Sequence, residues 1–437
     1  MEALKEALRE GRPVAFFRDG TRLIYVLERA RALEVHRLPA GDRFPSLARE
    51  FPAMDWFERA LWERHALVPE GHPSLKPLRR HDLPYTFRTF PELHEVPVGP
   101  VHAGIIEPGH FRFSVLGERI LNLEIRLGYQ HRGLLSLLPG KGPEEALRLV
   151  ERTGSEPVAH ALAFAEAWEA ALGVEAPPRA QGLRRAALEL ERAFGHLGHL
   201  AGLFTDIGYA FGATQVGRVR ALLQAEVDRL TGHRYGRNFL RVGGVWREGA
   251  VDLEALKSYQ MELARMLPRL LKHPQVLDRM RYVGRVRQAE ALAYGFVGPT
   301  ARASGVARDL REEDPYYPGL RPVVRQGGDV LARAQVYAAE ALEALAHARR
   351  FLRALPPGPL FREVPEGDGE ALARVEAGRG EVFWWVRLEG GRVVLAEGVD
   401  PSFKNWRALE LAVRGEGLPD FPLCNKSFDL SYAGSDL

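Results

Sequence analysis

Two histidines, a glutamate and an arginine fall within eleven residues in Gly99-Pro100-Val101-His102-Ala103-Gly104-Ile105-Ile106-Glu107-Pro108-Gly109-His110-Phe111-Arg112-Phe113. Glycine and proline at this density bring backbone close to a ligand, and a nearby arginine favours the ionised form of a carboxyl. Glu107 and His110 are therefore candidates for moving protons, with His102 and Arg112 as polar neighbours in the same loop. The competing reading is a β-hairpin whose polar groups satisfy one another. A second polar stretch, 123–133, reads from its residues alone as a solvated charged segment with a helix cap at Gly133. A third, 150–165, places His160 on an alanine-rich helix, where a lone histidine is more often a packing residue than a ligand. Neither these stretches nor 232–245 and 301–305 fit a nucleophile triad, a P-loop or a dinucleotide fingerprint.

The elements that must position these groups are mostly helical. Hydrophobic spacing predicts helices over 143–173 (broken near Pro157), 183–211, 214–231, 252–271 and 329–354. Together they predict a bundle core. Before them, Asp19-Gly20 between two apolar runs predicts a hairpin within 13–37, and 53–66 reads as a helix. Prolines at 69, 73, 77, 84, 91, 97 and 100 predict an extended boundary between domains. Near the end, 381–399 reads as a second hairpin turning at Gly390-Gly391, followed by a short helix at 405–413. The expected class is α+β: a mainly helical bundle core with small β elements, preceded by a small α/β N-terminal domain.

The 437 residues carry 60 basic and 57 acidic side chains, a net charge of +3 that gives no electrostatic case for nucleic acid. Cys424 is alone, so no intramolecular disulfide can form and a cytoplasmic setting is expected. The first residues show no apolar signal region, and no run is long enough to span a bilayer. Attachment to a membrane would therefore need partners.

Taken in order, the stretches at 99–113 and 123–133 resemble the large subunit of energy-converting hydrogenases and formate hydrogenlyase, whose superfamily includes the quinone-site (D-type) subunit of complex I, NADH-quinone oxidoreductase. Asp55-Trp56-Phe57-Glu58-Arg59 and Pro69-Glu70-Gly71-His72-Pro73-Ser74-Leu75 are similar to the end of the C-type subunit of complex I. Arg302-Ala303-Ser304-Gly305, Gly378-Arg379-Gly380-Glu381 and Pro401-Ser402-Phe403-Lys404-Asn405-Trp406 extend the likeness over roughly 50–437. The resemblance implies a shortened C-type domain at 1–80, a proline-rich linker at 81–98 and a hydrogenase-like, D-type domain at 99–437. It implies a partner small subunit, of the complex I B-type, that holds a 4Fe–4S cluster. Complex I-like membrane subunits and a formate dehydrogenase or ferredoxin-type subunit would complete the assembly. The site would be a quinone-like acceptor cavity on the cytoplasmic side of the membrane, with Arg132 and Arg237 beside the partner's cluster.

The departures are chemical. Family hydrogenases hold nickel and iron with two Cys-x-x-Cys pairs, and soft thiolates are what such a site needs. Here the early pair falls within Thr153-Gly154-Ser155-Glu156 and the late pair at Ser431 and Gly434, none of them cysteine. No nickel–iron centre is therefore expected on this chain. His110 is the counterpart of the quinone-site histidine of complex I, and the matching tyrosine falls near Gly154, without its hydroxyl. Two readings follow: an electron-transfer subunit with a working acceptor cavity, or a scaffold whose former active site has decayed.

Overall fold

In the computed structural model, which describes residues 2–101, 107–154 and 156–437, helix α1 (Glu2–Glu10) leads into three antiparallel strands, β1 (Gly11–Asp19), β2 (Arg22–Arg29) and β3 (Ala32–Pro39). The predicted Asp19-Gly20 turn joins the first two, with Gly20 at φ +55, where a residue lacking Cβ is favoured. The third strand falls mostly within the 13–37 stretch as well. A short strand β4 (Arg43–Pro45), helix α2 (Asp55–His65) and strand β5 (Val68–Glu70) follow, β4 and β5 pairing in parallel.

Strands β6 (His94–Val98), β7 (His110–Leu116) and β8 (Arg119–Arg126) form an antiparallel sheet that brackets the loop of interest. Here the structure corrects the reading of 123–133. Leu123 and Ile125 are buried on alternate positions of β8, and Leu127 is buried just beyond it, so an inward apolar face runs through what reads as a charged segment. The helix cap expected at Gly133 is present, at a helix start: Gly133 stands at φ +64 before α3 (Leu134–Leu137).

The helical section matches the hydrophobic spacing. Pro157 separates α4 (Pro143–Val150) from α5 (Pro157–Ala171), because proline fits a first turn but breaks a helix interior. Long helices α6 (Pro178–Asp206) and α7 (Ala210–Thr231) pack together, followed by the tiny β9 (Leu240–Arg241) and β10 (Gly244–Val245) pair. Then come α8 (Leu253–Leu271), α9 (Pro274–Met280), α10 (Gln288–Ala293), α11 (Gly298–Ala303) and α12 (Val330–Arg353). The Asp252 carboxylate caps α8 by accepting from the amides of Glu254 and Ala255 at 3.0 and 2.9 Å. Helix α12 lies against both α6 and α8. A sheet of β11 (Gly369–Glu376), β12 (Glu381–Glu389) and β13 (Arg392–Val399) leads to α13 (Pro401–Ala412), α14 (Phe421–Ser427) and α15 (Tyr432–Asp436).

Strand β12 divides the interior. Val382, Trp384 and Val386 enter a core shared with the helical bundle, while Phe383 and Trp385 enter a second core built on the N-terminal strands, β7, β8 and α13. Side chains alternate faces along a strand, so a continuous apolar run serves both cores at once. The architecture is α+β, a helical bundle with small sheets around it.

Candidate functional site

The two segments that the resemblance aligns with the family's cysteine pairs, around Gly154 and at 431–434, meet. A Cβ built on Gly154 would stand 3.2 Å from Ser431 Oγ and 3.6 Å from Gly434 Cα; one on Gly434 would stand 2.5 Å from Asp400 Oδ2. Ser431 Oγ accepts from the Gly434 amide at 2.9 Å, and the Ser431 amide donates to Ser402 Oγ at 2.9 Å. Asp400 lies 3.0 Å from His160 Nε2, while Trp384 Nε1 lies 3.2 Å from His160 Nδ1. An indole nitrogen only donates, so Nδ1 accepts and Nε2 carries the proton given to Asp400. His160 is thus held from both sides and fully buried, a fixed strut rather than a mobile base. Gly154, Ser431 and Gly434 supply no thiolate, the ligand type that a nickel–iron group needs.

Beside this packed knot opens a cavity of about 680 Å3, bounded by α6, α7, the turn at 378–379 and the segment leading into α15. Its polar lining includes Glu107, Glu156, Glu191, His196, His199, Arg220, Arg379, Lys426 and Asp429. Three glycines of α6, at 195, 198 and 202, face it, so much of one wall is helix backbone.

Local structure explains several of these positions. Glu156 stands before α5 without capping it; instead Glu191 reaches across from α6 and accepts from the Val158 and Ala159 amides at 2.8 and 2.9 Å. Those are amides a helix start leaves unpaired. Burial raises the Glu191 carboxyl well above its ordinary range, and neighbouring Glu156 adds to the effect. Glu156 is raised too, by burial first and by Asp400 and Asp429, against the pull of Arg379, whose amide it accepts from at 3.2 Å. Two carboxyls in such a setting tend to keep a proton between them. Asp429 goes the other way. Despite burial, Arg379 at 2.9 Å and His199 at 3.2 Å hold it below the usual carboxylate range.

Of the residues singled out from sequence, Glu107 lines the cavity. It is exposed, and its Oε2 accepts from the Tyr432 and Ala433 amides at 3.0 Å each, at the start of α15. His110 begins β7, 3.4 Å from the Gly99 carbonyl and with its ring 5.3 Å from that of Phe87; it is not in the cavity lining. Arg112, two residues on, lies over Phe87 at 4.7 Å. His102 lies outside the described residues. Arg132 and Arg237 come to one place. Arg132 donates to the Arg152 carbonyl, while Arg237 neighbours Glu151, which accepts twice from the Asn238 amide at 2.9 Å. Both arginines therefore flank the turn that precedes Thr153. Burial raises Glu151 to about 7 in spite of the Asn238 amide and of Arg237, Arg148 and Arg152.

Sequence reasoning missed Glu156, Glu191, His196, His199, Arg220, Arg379 and Asp429 as lining residues. One signal was available: Glu189, Arg192, His196 and His199 recur at spacings of three, four and three, a polar stripe on a largely apolar helix. Behind the cavity that stripe joins a buried charge cluster. Arg302 pairs with Glu340 and Glu376 at 2.7 Å each, Arg311 with Asp309 at 2.7 Å and Glu189 at 3.3 Å, and His196 with Glu340 at 3.1 Å.

The helical bundle and its α/β leader are those of the large-subunit class shared by hydrogenases and complex I. The chain belongs to that family. Residues 206–367 match the family described as respiratory-chain NADH dehydrogenase, 49 Kd subunit, and residues 12–100 match respiratory-chain NADH dehydrogenase, 30 Kd subunit. Formate hydrogenlyase subunit 5 of Escherichia coli (strain K12) is 32% identical over 90% of this chain and 77% of its own length. The carbon monoxide-induced hydrogenase of Rhodospirillum rubrum is 32% identical over 77% of this chain and 97% of its own length. Among solved structures, a chain of the membrane-bound sulfane sulfur reductase, an archaeal respiratory membrane complex, is similar with a TM-score of 0.73 and 27% identity, over 80% of this chain and 100% of that one. The membrane-bound hydrogenase subunit alpha of Pyrococcus furiosus is also similar, 31% identical over 78% of this chain and 87% of its own length. Among the described residues of this chain, no helix is long and apolar enough to cross a membrane.

Proposed function

We propose that this chain is the large subunit of a peripheral redox complex on the cytoplasmic side of a membrane, whose cavity receives a small, quinone-like electron acceptor in place of a nickel–iron centre. Electrons would arrive from a 4Fe–4S cluster in a partner small subunit resembling the B-type subunit of complex I. Arg132 and Arg237, flanking the turn at 151–152, would face that cluster. Permanent positive charge there favours the reduced cluster and raises its potential. Complex I-like membrane subunits would anchor the assembly, and a formate dehydrogenase or ferredoxin-type subunit would supply electrons.

The observation that carries this reading is the open 680 Å3 cavity beside the former cysteine-pair positions, lined by carboxyls and imidazoles. Reduction of such an acceptor takes up protons. Glu156 and Glu191, both raised by burial, are suited to take up and pass on a proton, and exposed Glu107 can exchange one with solvent. A scaffold with a decayed site would more naturally fill the space with apolar side chains. The test is acceptor-dependent turnover by the purified complex, with reduced donor and decylubiquinone or a sulfane-sulfur compound. Expected is turnover that Glu156→Gln and Glu107→Gln each lower at least about tenfold, the scale of a lost proton-transfer group. Absence of turnover with every acceptor, or indifference to both substitutions, refutes the reading.

A further inference from the structure

Most charged groups around the cavity are answered. Arg379 pairs with Asp429, Lys426 with Asp206, and His196 with Glu340. Three polar atoms are not. His199 is 7% exposed; its Nδ1 is engaged by Asp429, and its Nε2 is buried with no hydrogen-bond partner. Glu156, also 7% exposed, leaves Oε2 without a hydrogen bond, the Arg379 guanidinium standing 3.6 Å away. Arg220, reaching from α7 across the α6 glycines, has a buried Nε with no partner and no ion pair with any described carboxylate. Its guanidinium lies against Gly198, where a Cβ would come within 2.6 Å of Nε. Native interiors leave few such atoms unpaired, and those that remain ask for an explanation. Here all three border one cavity.

The sign of the missing partner follows from the lining. A guanidinium keeps its charge at any physiological pH. The Asp429 charge is already balanced by Arg379, and burial shifts Glu156 and Glu191 toward the neutral acid, with Asp400 and Asp429 adding to the shift of Glu156 and Glu156 adding to that of Glu191. What faces the ligand is thus the Arg220 guanidinium, which has no carboxylate partner among the described residues, and the Nε2 edge of His199, while the exposed Glu107 carboxylate is held by the Tyr432 and Ala433 amides.

We infer that the cavity binds a small anion, gripped by the Arg220 guanidinium and contacted by His199 through Nε2. The inference rests on the acceptor-cavity reading and narrows its ligand to the anionic class; a neutral quinone would leave Arg220 unanswered. Gly198 is then the residue that makes room for the gripping side chain.

Isothermal calorimetry on the chain, with no electron donor present, tests this with two probes, thiosulfate as a small dianion and decylubiquinone as a neutral competitor. Expected is saturable thiosulfate binding that Arg220→Gln weakens at least about tenfold, the effect of losing one charge-assisted contact. Arg220→Lys should weaken it less, since it keeps the charge but not the fork. His199→Phe should weaken it measurably, and Arg265→Gln, on the exposed side of α8, should leave it unchanged. Circular dichroism on each variant separates loss of binding from loss of fold. No thiosulfate binding, binding indifferent to both Arg220 variants, or tight decylubiquinone binding alone would each overturn the anion assignment. Turnover by the complex without anion binding strikes this inference only; anion binding by a chain whose complex does not turn over strikes the acceptor reading only.

Discussion

Helix α6 carries two polar regions that differ in how fully their charges are matched. Toward its middle, Glu189 and Arg192 join Asp309, Arg311, Arg302, Glu340 and Glu376 in a buried cluster where each acid meets a base. Two turns later His199, together with Glu156 and Arg220 from neighbouring elements, leaves atoms without partners. Both regions are inside the protein, so burial alone does not separate them. Saturation does: a closed network has nothing left to offer a ligand and serves to fix the bundle, while an open one keeps its binding capacity.

The largest effect should come from the closed region. Arg302→Met leaves Glu340, Glu376 and Asp309 short of a counter-charge and should destabilise the chain by about 3–5 kcal/mol in urea denaturation. A loss below about 1 kcal/mol would erase the contrast between the regions. Trp384→Phe removes the donor to His160 Nδ1 and strands a buried lone pair, for a loss of about 1–3 kcal/mol by the same measurement. Glu107→Gln weakens the cap on α15 and should cost about 0.5–2 kcal/mol, with faster hydrogen exchange at the Tyr432 and Ala433 amides.

Glu156 sharpens the comparison through pH. Its carboxyl is raised above the ordinary 4.5, so the folded chain still holds a proton there after the unfolded chain has released it. That contribution is complete below 4.5 and is lost as pH rises through the raised value. The difference in melting temperature between Glu156→Gln and wild type should therefore grow in the variant's favour as pH rises across this window, and a constant difference would count against a raised Glu156. The smallest effect is expected of Arg132→Ala, an exposed site: stability within about 0.5 kcal/mol, while the partner cluster's midpoint potential in the assembled complex falls.

Much of the fold was legible because hydrophobic spacing is dictated by the element itself. The helices at α4 to α8 and α12, the Asp19-Gly20 hairpin and the β12–β13 hairpin all follow from it. The strand β8 was hidden because Glu124 and Arg126 mark its outward face while Leu123 and Ile125, the inward one, read as an ordinary mixture. The site was legible only as a chain segment. The 99–113 stretch advertised itself by composition, yet among its described polar residues only Glu107 lines the cavity, because β7 carries His110 and Arg112 toward Phe87. Glu156, Glu191 and His199 come together from sites well apart in the chain, a proximity that local spacing cannot reveal.

Gly195 has a different consequence. Nothing lies within 4 Å of where its Cβ would be, and its helical backbone does not require glycine. Alanine at that position should strengthen α6 by about 1 kcal/mol and narrow the cavity by one methyl. Thermal robustness and the bulk of admissible guest would then move in opposite directions, which makes this position a single-atom dial between the two.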